Sequence, residues 1–148
     1  MNWLNLCSGG ETGRQAVKEL GLPVTNWFSS EIDKFAIKVA DDNHDDITHL
    51  GDIRTVIEKT KNLPIDVMLC GSPCQGFSFA GKQLKFDDPR SKLFFEFVRI
   101  KEETKPRWFL LENVKMKQDA QDIITKYMGV KPIEINSSLA KLNKYWDV

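Results

Sequence analysis

Asn2-Trp3-Leu4-Asn5-Leu6-Cys7-Ser8-Gly9-Gly10-Glu11-Thr12-Gly13 opens the chain with a short apolar run that breaks into a glycine-bearing turn. Residues 12–20 follow with Ala16, Val17 and Leu20 spaced for one helical face. The stretch therefore reads as strand, turn and helix, the first part of a βαβ unit. Glycines at such a turn let the backbone approach a ligand closely, and a helix N-terminus offers unpaired N–H groups to an anion such as a carboxylate. The spacing departs from the dinucleotide fingerprint, because Ser8 stands where its first glycine would be.

The same alternation runs outward along the chain. Strands are predicted at residues 2–7, 25–30, 47–50, 66–71, 107–111 and 132–136, and helices at 12–20, 33–40, 53–61, 91–103 and 115–128, the second helix capped by Ser30 or Asp33. Short strands separated by helices predict an α/β fold: a mostly parallel, doubly wound, Rossmann-like sheet with right-handed crossovers. Residues 72–89 lack periodicity and are long for a connection in so small a chain, which marks them as a candidate functional loop. Beyond 136 the pattern fades into a polar tail ending in Tyr145-Trp146-Asp147-Val148.

With 148 residues, 41% hydrophobic and 28% charged, the composition suits one packed domain and excludes a disordered tail, a collagen-like chain or a disulfide scaffold. No apolar run approaches the roughly 20 residues that span a bilayer, and the first ten residues lack a basic start, so a cytoplasmic protein without membrane contact is expected. The three cysteines, Cys7, Cys70 and Cys74, match no zinc or redox spacing; reduced thiols and no metal are expected. Net charge is zero but divided. Residues 1–81 carry 7 basic and 11 acidic side chains (7 − 11 = −4), and residues 82–148 carry 14 and 10 (14 − 10 = +4). That division fits either a second half facing a polyanion or two solvated surfaces of mildly different sign.

Candidate chemistry falls at the predicted strand ends. Glu31 lies 18 residues beyond Gly13 (31 − 13), where an acidic side chain in this architecture takes ribose hydroxyls. Asp52 follows the third strand, placed to receive an adenine amino group. Each acid alone reads equally well as a solvated residue or a helix cap, but three such features at successive strand ends favour a nucleoside cofactor. Cys7 and Cys70, inside apolar runs, read as small core hydrophobes. Cys74 is different: it sits just past the fourth strand in Gly71-Ser72-Pro73-Cys74-Gln75-Gly76-Phe77-Ser78, a polar loop where a thiolate can be reached and stabilised. His44 and His49, the only histidines, are expected at the surface and leave no obvious Cys/His dyad. The fifth strand ends in Glu112-Asn113-Val114 on the same rim, where a carboxyl can share a proton with a substrate ring nitrogen or simply cap the next helix.

These motifs, in this order, resemble the cytosine-C5 DNA methyltransferase family, especially its bacterial and phage members. The likeness rests on Ser8-Gly9 through Gly13, Glu31, Asp52, the Pro73-Cys74-Gln75 loop, Asp88-Pro89-Arg90-Ser91-Lys92-Leu93-Phe94-Phe95 and Glu112-Asn113-Val114, and covers about residues 2–136. The resemblance implies an enzyme that takes a methyl group from S-adenosylmethionine. Its cofactor would be held by Cys7, Ser8, Gly9, Gly10, Thr12, Gly13, Glu31, Ile32, Asp52, Ile53 and Leu93. The substrate implied is duplex DNA with the target cytosine flipped out of the stack. Cys74 would add to C6 of the ring, Glu112 would hydrogen-bond at N3, Pro73 would shape the turn and Asn113 would help hold the site. Gln75, Ser78 and Arg90 would contact DNA, and the loop would close as a lid. A restriction-modification setting follows from the same likeness.

The departures bear on activity. Cys7 replaces a residue usually aromatic in the family. Ile135-Asn136-Ser137-Ser138-Leu139 begins like the segment leading to a Gln-x-Arg-x-Arg motif, yet no arginine follows Arg107. The expected organisation is a catalytic domain at 1–136, a degenerate tail at 137–148 and no target recognition domain. Three readings stay open: a DNA cytosine methyltransferase, a remnant or half-enzyme that binds cofactor or a second chain without turnover, and an RNA cytosine methyltransferase.

Overall fold

A computed structural model describes residues 1–71, 89–116 and 118–135. In chain order it runs β1 (Asn2–Leu6), α1 (Thr12–Glu19), β2 (Asn26–Ser30), α2 (Lys34–Asn43), β3 (Ile47–His49), a 3₁₀ turn (Ile53–Thr55) leading into α3 (Val56–Thr60), β4 (Val67–Gly71), α4 (Pro89–Thr104), β5 (Trp108–Glu112) and α5 (Gln118–Met128). All strand pairs are parallel, and the order across the sheet is β3-β2-β1-β4-β5. The chain thus winds outward one way through β2 and β3 and then the other way through β4 and β5, with the reversal between β1 and β4. Crevices at such a reversal, beyond the strand C-termini, are where this architecture binds ligands.

Each face of the sheet has its own core. On one side Leu4, Leu6, Phe28, Met68 and Cys70 meet α4 through Phe94, Phe97 and Ile100, with Val56 of α3 and Ala120 and Met128 of α5 completing the cluster. Burying each large side chain of α4 contributes roughly 1.5–3 kcal/mol. The opposite face is smaller: Trp3 and Trp27 stack at 5.5 Å between ring centroids, with Val17 of α1 and Val67 beside them. At Gly13 an added Cβ would stand 3.2 Å from Leu69 Cδ1 and 3.4 Å from Asn5 Nδ2. Gly13 and Val17, one turn apart, therefore form the sheet-facing edge of α1. The predicted Ala16-Val17-Leu20 face is corrected accordingly: only Val17 is buried, because this close approach rotates Ala16 and Leu20 into solvent.

The predicted helix at 33–40 runs on to Asn43, and its cap is Asp33, whose Oδ1 accepts from the N–H groups of Phe35 (2.8 Å) and Ala36 (3.3 Å). Such a cap is worth about 1 kcal/mol. His44 closes the same helix and is buried, contrary to its expected surface position; being the C-cap, it is drawn against the helix by its N–H bond to Ala40. His49 lies exposed against Asp41 at 2.7 Å. The sixth predicted strand does not form over residues 131–135. Pro132 removes a donor there, and Lys115 holds Glu134 at 2.7 Å while Ile133 and Ile135 stay 86% and 82% exposed. Among the described residues β5 is therefore the edge of the sheet. Trp108 and Leu110, in register with Val67 and Leu69, carry no helix on their face among the described residues and are 47% and 61% exposed. No helix among the described residues is long and apolar enough to cross a membrane.

Candidate functional site

Parallel pairing brings the C-termini of all five strands to one rim, and the residues singled out from sequence gather there. β1 ends at Leu6, and Cys7 turns the chain with a left-handed backbone, φ 51°. Gly9, φ 54°, needs the same region, which glycine enters without strain. The turn is stitched to its neighbours: Ser8 N–H donates to the Ser30 carbonyl (3.3 Å), the hydroxyls of Ser8 and Ser29 share a hydrogen bond (2.8 Å), and Ser30 Oγ donates to the Gly51 carbonyl (2.7 Å). Glu11, at the N-cap of α1, gives no side-chain cap, so the first N–H groups of this helix, from Thr12 onward, are not closed off from the rim by a cap.

Glu11 is instead wholly buried. Its Oε2 accepts from Asn5 Nδ2 (2.8 Å) and Trp27 Nε1 (3.0 Å), and its Oε1 finds no partner among the described residues. This buttress beneath the glycine turn was not read from sequence, where an acid one residue before a helix signals an ordinary first-turn charge.

Glu31 stands at the end of β2 with its carboxylate already organised. Oε2 accepts from Gly9 N–H (2.9 Å), and Oε1 accepts from the N–H groups of Ile32 (2.8 Å) and Asp33 (3.0 Å). A carboxylate offers about four lone-pair sites, so about one is left for a hydroxyl donor. Ile32 and Phe35 are exposed beside it as an apolar rim, and Phe35 is a site candidate that sequence reasoning missed. Asp52 lies beyond β3 on the same rim. Its carboxylate accepts from Arg54 N–H (2.9 Å) and Arg54 Nε (2.9 and 3.0 Å), with a further contact from Nη2. The guanidinium, then the backbone N–H, hold the Asp52 carboxyl down to about 2. Ile53 beside it is buried in the core.

At the centre, β4 and β5 end in register, Gly71 opposite Glu112. A Cβ on Gly71 would stand 3.9 Å from Glu112 Oε2, so this carboxylate leans over the residue from which the chain leaves toward Pro73 and Cys74. Asn113 Oδ1 accepts from Val114 N–H (2.8 Å), while its Nδ2 is buried with no acceptor among the described residues. Pro73, Cys74, Gln75 and Ser78 lie outside the described residues, and Arg90 falls in the first turn of α4. Leu93 packs against the core cluster that contains Cys70. Among the described residues no group of three or more His, Cys, Asp or Glu side chains could hold a metal ion.

A doubly wound parallel sheet with a glycine turn and the acids Glu31, Asp52 and Glu112 at its strand ends defines a Rossmann-like domain. The chain belongs to the C-5 cytosine-specific DNA methylase family, whose model matches residues 1–128. It is 55% identical over 93 residues to the Type II methyltransferase M1.ScrFI of Lactococcus lactis subsp. cremoris, covering 62% of this chain and 23% of that protein. It is 40% identical over 116 residues to the Type II methyltransferase M.HhaI of Haemophilus parahaemolyticus, covering 78% and 34%. The fold superposes on the crystal structure of S. pombe Dnmt2 methyltransferase with a TM-score of 0.69 at 22% identity, over 87% of this chain and 41% of that one. The chain therefore spans a quarter to a third of these two bacterial relatives.

Proposed function

We propose that this chain is the cofactor-binding and catalytic part of a DNA cytosine-C5 methyltransferase, with Cys74 as nucleophile and Glu112 as its acid partner. The observation that supports the reading is the Gly71–Glu112 register: the carboxylate lies beside the last described residue before Pro73-Cys74-Gln75, at the end of β4, a strand that borders the reversal of strand order. The donors and acceptors on the rim fit S-adenosylmethionine. The uncapped start of α1 and the Ser8-Gly9-Gly10 turn suit its carboxylate, with Thr12 and Gly13 forming the first turn behind them. The free lone pair on Glu31 suits a ribose hydroxyl, Cys7 and Ile32 flank the adenine, and Asp52 with the Ile53 backbone meets its edge once Arg54 yields an oxygen. Leu93 supports the pocket from the core side. When bound, this cofactor supplies a methyl group on a sulfonium centre.

The chain's own groups perform the rest. Cys74 as thiolate adds to C6 of a flipped cytosine, and Glu112 shares a proton at N3, drawing charge into the ring so that C5 becomes nucleophilic. Pro73 holds the turn, and the orphaned Asn113 Nδ2 is available to a loop or substrate acceptor. Loss of the C5 proton then releases Cys74. Gln75, Ser78 and Arg90 meet the DNA. Trapping on duplex DNA containing 5-fluorocytosine, with S-adenosylmethionine present, tests this: a covalent complex forms with the native chain and not with Cys74→Ala. A complex formed by Cys74→Ala refutes the assigned nucleophile, and label transferred only to RNA run in parallel moves the substrate class.

The β5 face, bare among the described residues, favours a second reading, in which the domain binds cofactor but turns over only when a further segment, in the same polypeptide or a second chain, covers Trp108 and Leu110.

A further inference from the structure

Two thiols far apart in sequence meet at the floor of this rim. Leu6 pairs with Cys70 across β1 and β4. One residue on, the Cys7 carbonyl oxygen stands 3.6 Å from a Cβ placed on Gly71. Cys7 and Cys70 are therefore diagonal neighbours across a single inter-strand gap. With about 4.8 Å between strands and about 3.3 Å of rise, their Cα atoms lie about 6 Å apart, inside the roughly 4.4–6.8 Å that a disulfide spans. Regular alternation would send the two side chains to opposite faces. The left-handed backbone at Cys7 breaks that alternation, and its side chain packs against the same core cluster that holds Cys70.

The pair is chemically unequal. Cys7 is partly exposed, and a hydrogen bond from the Cys70 thiol lowers its pKa against the opposing effects of burial, Glu31 and Asp52. Cys70 is 3% exposed, and the same hydrogen bond together with burial pushes its pKa up. An accessible thiol that ionises more readily, beside a buried one that keeps its proton, is the arrangement of an attacking and a resolving cysteine.

We infer that Cys7 and Cys70 form an oxidation site for peroxides, closing as a reversible disulfide beneath the strand-end rim that carries Glu31, Asp52 and Gly71. Cys7 thiolate attacks one peroxide oxygen, the O–O bond breaks, and the leaving oxygen takes a proton, giving a sulfenic acid on Cys7. Cys70 then attacks that sulfur; the S–O bond breaks as the S–S bond forms, and the hydroxyl leaves as water with the Cys70 proton. The two sulfurs together lose two electrons, which reduce the peroxide. The disulfide pins the turn that carries Ser8 to Gly10, and the consequence for S-adenosylmethionine rests on the reading proposed above.

The test treats the full chain with equimolar hydrogen peroxide, alkylates it after denaturation, and measures intact mass and linked peptides for the native chain, Cys74→Ala and Cys70→Ser. Cys74→Ala is expected to lose the mass of two hydrogen atoms, take up no alkyl group and recover both thiols with dithiothreitol. Cys70→Ser should stop at a sulfenic acid on Cys7. Two alkylated thiols in peroxide-treated Cys74→Ala, or a native peptide linking either cysteine to Cys74, overturns the site. Calorimetric titration of reduced and oxidised Cys74→Ala should show cofactor affinity falling about tenfold on oxidation; equal affinities overturn the effect on the pocket. A reduced chain that binds no S-adenosylmethionine counts against the cofactor reading, while the mass result still decides the oxidation site.

Discussion

Glu11 offers a quantitative test of how the glycine turn is held. Its Oε2 satisfies two buried donors, Asn5 Nδ2 and Trp27 Nε1, from two different strands. Glu11→Ala strands both, at about 1–3 kcal/mol for each unsatisfied group, or about 2–6 kcal/mol together. Small domains have only about 5–15 kcal/mol in hand, and at this size each kcal/mol moves Tm by roughly 2–4 °C. A fall of about 4–24 °C is expected in a thermal scan followed by circular dichroism. Glu11→Gln should lie between native and Ala, because one amide oxygen can still accept both donors while the new N–H groups land where Oε1 has no partner. In a double-mutant cycle with Trp27→Phe, the two changes should couple by about 0.5 kcal/mol or more, since they share one hydrogen bond. A Glu11→Ala chain melting within about 1 °C of native, or an additive cycle, refutes the buttress.

Three further outcomes follow from the same geometry. Gly13→Val should destabilise by about 1–3 kcal/mol in urea titration by driving branches into Leu69, whereas Gly13→Ala should be near neutral, its helix propensity gain offsetting the 3.2 Å contact; equal losses would place α1 elsewhere on the sheet. Arg54→Ala should return the Asp52 carboxyl from about 2 toward the usual value near 4, read by carbon NMR titration. Since the folded value is depressed, native Asp52 contributes stability above pH 4 that is lost as pH falls toward 2, and the variant should lose that slope; an unmoved titration sinks the ion pair as its cause. Leu110→Glu should change the stability of this chain by no more than about 0.5 kcal/mol while reducing apolar dye binding; a large loss of stability would mean that the β5 face is covered.

The sequence was most legible where the cause is local. Five strands and five helices were placed within a few residues because a parallel strand buried on both faces is a short apolar run, and because Asp33 announces a helix by capping it. Glu31, Asp52 and Glu112 were legible as strand-end acids for the same reason. The sixth strand failed because Ile133 and Ile135 show the right alternation, yet a strand needs a hydrogen-bonding neighbour, and periodicity does not say whether one is present. His44 failed because burial of a C-cap depends on what packs over the helix end.

Sequence by itself determined the class of fold, the order of the motifs and the residue types available to the rim, since propensity, capping and periodicity act over a few neighbouring positions. Tertiary structure alone decided which of those residues meet. The strand order β3-β2-β1-β4-β5 sets Gly71 against Glu112, turns Glu11 inward onto Asn5 and Trp27, and lays Cys7 beside Cys70. Those pairings join strands through crossovers and left-handed turns, and their free energy comes from burial and hydrogen bonding that exist only once the sheet has closed.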